Sequence, residues 1–362
     1  MRQLEFGWFL PTSGDTDDYG AAAKVAAGPA LFSKVATAAE AAGFEYLLIP
    51  VGHMCWDAWM SGAMMIGKTK RLKMLIAARP GYINPVLLAK MIATFDQLSE
   101  GRICVNLIAG QSETENVSEG IKWSKEQRYE IMEEEVSILK ALWTQGGGRT
   151  DWDGRYYTLK QAELMPKPLQ QPYPKFYLGG GSGQAAELSA KHSDVHLFWG
   201  DTTERIEENM VALRELAAEH GRQDAIGFGM RLQIICRENE DEAWQAADKL
   251  VRNVSAEREQ YIKTYYANSV ANQRVQELAR ENGDLIAPNL WTGLTKARPG
   301  AGICIVGNPE QCADVLQRYI DIGCHSFCLS GYLHDEEAAR FHRMVRPIIA
   351  ERNRGRMPED AA

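Results

Sequence analysis

The sequence is short of several features that would mark other classes of protein. No pair of cysteines has C-x-x-C spacing: Cys55, Cys104, Cys236, Cys304, Cys312, Cys324 and Cys328 are odd in number and scattered. Neither a disulfide framework nor a zinc site is expected from such a pattern, and free thiols fit a reducing cytoplasm. His192 and His196 stand four apart, but a helix end is expected between them, so they would not share a face as metal ligands. A basic excess is also missing, with 40 Lys and Arg against 48 acidic residues and a formal charge of −8. That balance disfavours a nucleic-acid surface but leaves room for a small anionic ligand, which one or two arginines in a pocket suffice to hold. No apolar run approaches membrane-spanning length, and the opening run, broken by Glu5 and closed by Pro11, is too short and too acidic for a signal peptide.

What remains is an ordinary globular composition, 45% hydrophobic and 24% charged over 362 residues, a normal length for one barrel with insertions. Short apolar runs alternate with amphipathic stretches nearly end to end, as in a parallel α/β fold. Strands are expected at 6–10, 46–49, 72–77, 103–107, 175–178, 195–198, 228–235 and 326–329. Helices are expected at 30–42, 85–98, 125–142, 203–219, 309–322 and 336–349. Eight strands, each followed by a helical stretch, predict a closed (β/α)8 TIM barrel. Gly43 and Gly323 each stand between a helix end and a buried strand, where a glycine cap belongs. After the glycine run Gly146-Gly147-Gly148, the stretch from Trp152 to Tyr157 reads as an inserted hairpin. Residues 1–362 read as one domain, with a lid-like irregular insertion at about 253–302.

In such barrels the site lies at the C-terminal ends of the strands. The residues there include Ser13 and Asp15, Val51 to Cys55, Asn106 with Gly110 and Gln111, Gly179 to Ser182, Trp199, and Ser330 to His334. Arg231 and Gln233, two apart on one strand, share a face. The turn ending in Gly181 and Ser182 precedes a helix at 184–190, so its free amides suit a phosphate, although an ordinary glycine-rich turn would look the same. Arg128 and Tyr129 near a helix start could reach that phosphate or simply cap a surface helix. Cys55 could be a nucleophile, but one cysteine near His53 in sequence is poor evidence for a matched base.

Taken in order, a series of segments resembles the bacterial luciferase-like flavin monooxygenases, and within them the alkanesulfonate monooxygenase group. They include Trp8-Phe-Leu-Pro-Thr12, Cys55-x-Asp-Ala-Trp59, Asp96-Gln-Leu-Ser99-x-Gly-Arg102, Arg128-Tyr-Glu130, Gln171-Pro-Tyr-Pro174, Ala287-Pro-Asn-Leu-Trp291, Arg298-x-Gly-Ala-Gly302 and Ser330-Gly-Tyr-x-His334. The resemblance implies a (β/α)8 barrel, a homodimer or homotetramer, and reduced FMN used with O2 and supplied by an NAD(P)H-dependent flavin reductase. It implies FMN contacts at Asn106, Glu115, Arg128, Tyr129, Gly181 and Ser182, with Val51 and Gly52 near the ring. It places Cys55, Trp199, Arg231, Arg298 and Tyr332 on the substrate side.

The chain departs from the sulfonate group at Ser13 and Gln233, where that group carries histidines, and at Ala109, where it carries a threonine. Ser and Gln hydrogen-bond but do not serve as bases, so Tyr332 or His334 becomes the candidate for proton transfer and the substrate is expected to be more polar, a hydroxylated or sugar sulfonate. Arg231 and Arg298 would hold the anion, with Ser13, Trp199 and Gln233 at the substrate. Arg298, between glycine hinges, is expected on a mobile lid. The rivals are a related monooxygenase acting on a sulfone, an amide or a ring nitrogen, a flavin binder without turnover, and a deazaflavin-dependent relative.

Overall fold

Alternation along the first strand shows how the chain builds its layers. On β1 (Glu5–Phe9), Phe6 and Trp8 point outward into the layer under the helices, while Phe9 turns inward. Gly7 shares the inner face, and a Cβ there would lie 1.9 Å from the Tyr46 ring, so only glycine fits. The strands that follow are β2 (Tyr46–Ile49), β3 (Lys73–Ala78), β4 (Ile103–Leu107), β5 (Phe176–Gly179), β6 (Val195–Trp199), β7 (Gly227–Cys236) and β8 (Ser326–Ser330). In the computed structural model, which describes residues 2–110, 112–144, 148–265, 267–298 and 300–358, each pairs in parallel with the next and β8 closes on β1. The result is the closed eight-stranded barrel expected from the sequence. Tyr46 and Tyr177 plug its interior, with hydroxyls on Ser326 (3.1 Å) and Glu5 (2.5 Å), so the open end lies at the strands' C-termini.

The helices Pro85–Leu98 and Thr203–Glu219 fall on their expected bounds, and Gly43 and Gly323 adopt the positive φ (76° and 110°) that helix-ending glycines take. The hairpin forms from Thr150–Asp153 and Thr158–Ala162. The last helix is interrupted: His334–Arg340 passes through a π-turn, Phe341–Val345, before Arg346–Arg352 resumes. Pro347 supplies the reason, since it has no N–H to bond back to the preceding turn. Gln111, Gly146 and Gly147, named above, and Pro299, which follows Arg298, lie outside the described residues.

The largest departure is the insertion. It is not irregular: it holds the helices Ala256–Tyr265 and Val270–Asn282, short strands Leu285–Ala287 and Leu290–Trp291, and a 3-10 turn, Gly293–Lys296. A further strand, Cys304–Gly307, pairs in parallel with the outer half of β7, from Gln233 to Cys236. The inner half of that ten-residue strand pairs with β6 and β8, so β7 outgrows the barrel and carries the insertion on its extension. Among the described residues no helix is long and apolar enough to cross a membrane.

Candidate functional site

A cavity of about 1120 Å³ opens over the C-terminal ends of the strands. Its two walls differ in chemistry. On the first, Ser182 caps the helix Gly183–His192 by accepting from the Ala185 amide (3.2 Å) and donates to the Tyr129 hydroxyl (3.3 Å). Gly180, at φ 139°, brings the turn close: a Cβ there would stand 3.0 Å from that of Ala185 and 3.8 Å from the Tyr129 hydroxyl. Arg128 is buried, giving Nε to the Ala109 carbonyl (2.8 Å) and one terminal nitrogen to the Trp123 carbonyl (2.8 Å) and Glu113 (3.2 Å). Its other terminal nitrogen has no protein acceptor among the described residues. Helix amides, two hydroxyls, glycine clearance and this guanidinium fit the phosphate of FMN. Val51, Gly52, Asn106 and Gly181 line the same cavity, where an isoalloxazine ring would extend.

The second wall is cationic. Arg231 projects inward from β7 and is fully shielded, yet its guanidinium meets only neutral acceptors: the carbonyls of Leu232 (2.9 Å) and Cys328 (3.3 Å) and the Ser330 hydroxyl (2.9 Å). No carboxylate pairs with it among the described residues. Its guanidinium carbon lies 4.8 Å from the centre of the Phe9 ring, and that of Arg298 lies 5.5 Å from the same ring. Burial first, then the nearby Arg298, pulls the Arg231 pKa down, though a guanidinium keeps its proton in a protein. Trp199, half-buried, lines the cavity beside Gly300, and Ser13 lines it from the loop after β1.

His334 also reaches this wall. Asp15 accepts from its backbone amide (2.8 Å) and pairs with Nδ1 (2.9 Å), which fixes the ring where it lines the cavity and leaves Nε2 outside that pair. The Tyr332 hydroxyl donates to Gln233 (3.0 Å), and burial raises its pKa well above the usual phenol range, so it stays protonated.

Several predicted residues lie elsewhere. Gln233 shares the inward face with Arg231 but is wholly buried behind the cavity wall, its amide accepting from Ser330 (2.5 Å) and Tyr332 and donating to the Ala301 carbonyl (2.8 Å). A side chain with those bonds already made holds the wall together from behind. Glu115 is not at the cavity surface either: its carboxylate is paired with Arg79 at 2.6 Å, both side chains buried. Cys55 does line the cavity, but burial raises its pKa, and a protonated thiol is a weak nucleophile. The Arg298 segment packs onto the barrel's extension, with Leu294 and Ala297 buried against the outer half of β7 and its added strand and Ala301 buried as well. His192 meets Lys140 (3.3 Å) and His196 meets Ser189 (2.9 Å), and burial lowers their pKa values to about 3 and about 4. Sequence reasoning missed the pairing of Asp15 with His334, the Phe9 ring, and Tyr19 and Arg258, which also line the cavity. None had a local signal: each meets its partner only through the closure of the barrel or the folding of the insertion.

Residues 4–326 match a family model described as luciferase-like monooxygenase. Among solved structures, a riboflavin lyase holding modified FMN and riboflavin is 18% identical, with a TM-score of 0.80 over 100% of this chain and 94% of that one. A long-chain alkane monooxygenase is 18% identical, with a TM-score of 0.78 over 99% and 93%. The coenzyme F420 dependent tetrahydromethanopterin reductase from Methanopyrus kandleri is 17% identical, with a TM-score of 0.69 over 96% and 99%. At these identities the likeness is one of fold.

Proposed function

We propose a function from one premise: the chain belongs to the luciferase-like monooxygenase family. It is an FMNH2- and O2-dependent monooxygenase that cleaves the carbon–sulfur bond of an organosulfonate, hydroxylated or sugar-like, releasing sulfite and a carbonyl product. The observation that carries the reading is Arg231, a buried cation aimed at the cavity beside Arg298 with only neutral acceptors around it. A sulfonate is anionic at every cellular pH and offers three acceptor oxygens to such a pair of forks. Reduced FMN, when bound, supplies the electrons that activate O2. Ser182, Tyr129 and Arg128 hold its phosphate. His334, oriented by Asp15, moves the proton at Nε2, and Tyr332 donates a hydrogen bond. Trp199 and the packed Arg298 segment keep water from the wall. A separate NAD(P)H-dependent flavin reductase delivers the flavin, and the enzyme works as a homodimer or homotetramer in the cytoplasm, where its cysteines, all free, stay reduced.

The test is sulfite release from a panel of sulfonates with purified protein, NADH and a flavin reductase. Sulfite from hydroxylated or sugar sulfonates is the expected result. Oxidation of a sulfone, an amide or an N-heterocycle without sulfite from any sulfonate would replace the substrate assignment, and tight binding of the deazaflavin in place of FMN would replace the cofactor.

A further inference from the structure

Beyond Arg231 and Arg298 on one wall and Arg128 on the other, the cavity has a fourth arginine. Arg258 lies on the helix Ala256–Tyr265, and its guanidinium carbon stands 5.5 Å from the Tyr19 ring. It gives Nε to the Ala297 carbonyl at 3.2 Å and has no carboxylate partner among the described residues. Tyr19 in turn meets Tyr332 edge-on with centroids 5.5 Å apart, so this corner adjoins the wall that holds Arg231 and Arg298. The corner is built and not incidental. The loop carrying Tyr19 is stitched to the end of the helix Glu240–Val251 by Tyr19 N–H to the Leu250 carbonyl (3.0 Å) and Lys249 to Asp17 (2.6 Å), and to the start of the insertion by Asn253 to Asp18 (2.8 Å).

We infer that Arg258 is a specificity-determining residue, which with Tyr19 forms a second polar subsite for a hydroxylated part of the substrate remote from its sulfonate. The inference rests on the oxygenase reading of the cavity and names the end of the substrate which that reading left open. Hydroxyls suit the corner better than a second acid group. Arg258 is exposed at the rim, where water screens charge attraction, so its planar donors act mainly by geometry. Burial raises the pKa of Tyr19, whose phenol stays protonated beside the Tyr332 hydroxyl it bonds, and the Ser13 hydroxyl in the same cavity can both donate and accept. A sugar hydroxyl uses that mixture, whereas a carboxylate only accepts.

The test compares Arg258→Met and Arg258→Lys with the parent enzyme, each saturated with FMN. Three probes are used: a hexose bearing a sulfonate at carbon six, hexanesulfonate, and a sulfonate of similar length ending in a carboxylate. Calorimetric Kd is measured beside kcat/KM from sulfite release. Arg258→Met is expected to weaken the sugar sulfonate roughly tenfold and hexanesulfonate less than twofold. Arg258→Lys, which keeps the charge but not the fork, should behave like the Met variant toward the sugar. Equal losses for sugar and alkane probes would overturn the inference, because Arg258 would then serve only the Ala297–Arg298 backbone. A largest loss for the carboxylate probe, rescued by Lys, would overturn it in favour of a charge-reading site, and failure of the parent enzyme to bind the sugar would overturn it outright. If the Kd split appears while no sulfonate yields sulfite, the subsite stands and the desulfonation reading falls.

Discussion

Arg231 is held by three neutral acceptors, and on the proposed reading an anion entering the cavity balances its positive charge. Replacing it by Met should leave FMN binding intact and raise the apparent Kd for sulfonates by 30-fold or more, from about 2–5 kcal/mol for a charge-assisted pair in a shielded site. Unchanged sulfonate kinetics in that variant would remove the anion role. For His334 the informative change is Asp15→Asn, which keeps the shape but removes the carboxylate that orients the ring. Turnover should drop by roughly tenfold to a hundredfold with KM little altered, and a loss confined to KM would mean that His334 only packs. Gln233 gives a prediction about stability and not about catalysis. Gln233→Leu strands the hydroxyls of Ser330 and Tyr332 and the carbonyl of Ala301, and should cost about 1–3 kcal/mol for each group left unsatisfied, read by denaturant unfolding.

Packing between elements creates a pH response far from the cavity. The hairpin Thr150–Ala162 is docked on the helix Lys125–Thr144 through Glu134, which accepts from Trp152 (3.1 Å) and from the Tyr157 amide (2.9 Å), and through Glu135. Glu135 is buried where the Tyr157 hydroxyl (2.7 Å) and the Gly81 amide (2.9 Å) meet it, and burial lifts its carboxyl to about 7. Its pKa is therefore higher folded than unfolded, where it is near the ordinary 4.5. Its contribution is full below the unfolded value and is lost as pH rises through about 7. Glu135→Gln keeps an acceptor and cannot ionise, so its Tm should gain on the parent between pH 5 and 8. Comparing the two proteins isolates the effect, because His192 and His196, with lowered pKa values, respond in the opposite direction as pH falls. Parallel Tm-against-pH curves would show that Glu135 is ionised in the folded protein throughout.

Across the molecule, the flavin wall joins residues from β4, β5 and two helices, so binding there should stabilise the whole barrel and not one loop. Saturating FMN should raise Tm, by an amount that grows with the logarithm of its concentration. Combining Ser182→Ala with Arg128→Gln should abolish the rise, read against the double variant's own unliganded Tm, which the lost helix cap and buried hydrogen bonds lower. An equal rise in the double variant would move the phosphate off this wall.

The sequence alone settled the architecture, because eight short apolar runs separated by amphipathic stretches have few ways to bury their faces, and a closed parallel barrel is the one that leaves no edge. It also placed the glycine-rich turn at Gly179 to Ser182 before a helix and the inward face of Arg231, since both follow from local periodicity and backbone chemistry. Periodicity is silent on the insertion: its helix Ala256–Tyr265 buries little apart from Ile262, so no apolar stripe announced it. The strand Cys304–Gly307 was present as an apolar run between glycines, but its partner is the overhang of β7, with Cys304 opposite Gln233 far back in the chain. Whether a polar residue near the site touches ligand or wall was likewise undecidable from its own segment. Gln233 and Glu115 find partners in Ser330, Tyr332 and Arg79, and Asp15 finds His334 across the closing seam of the barrel. Those choices belong to tertiary structure, because a buried polar group takes whichever partner folding brings within hydrogen-bond reach, however distant in sequence.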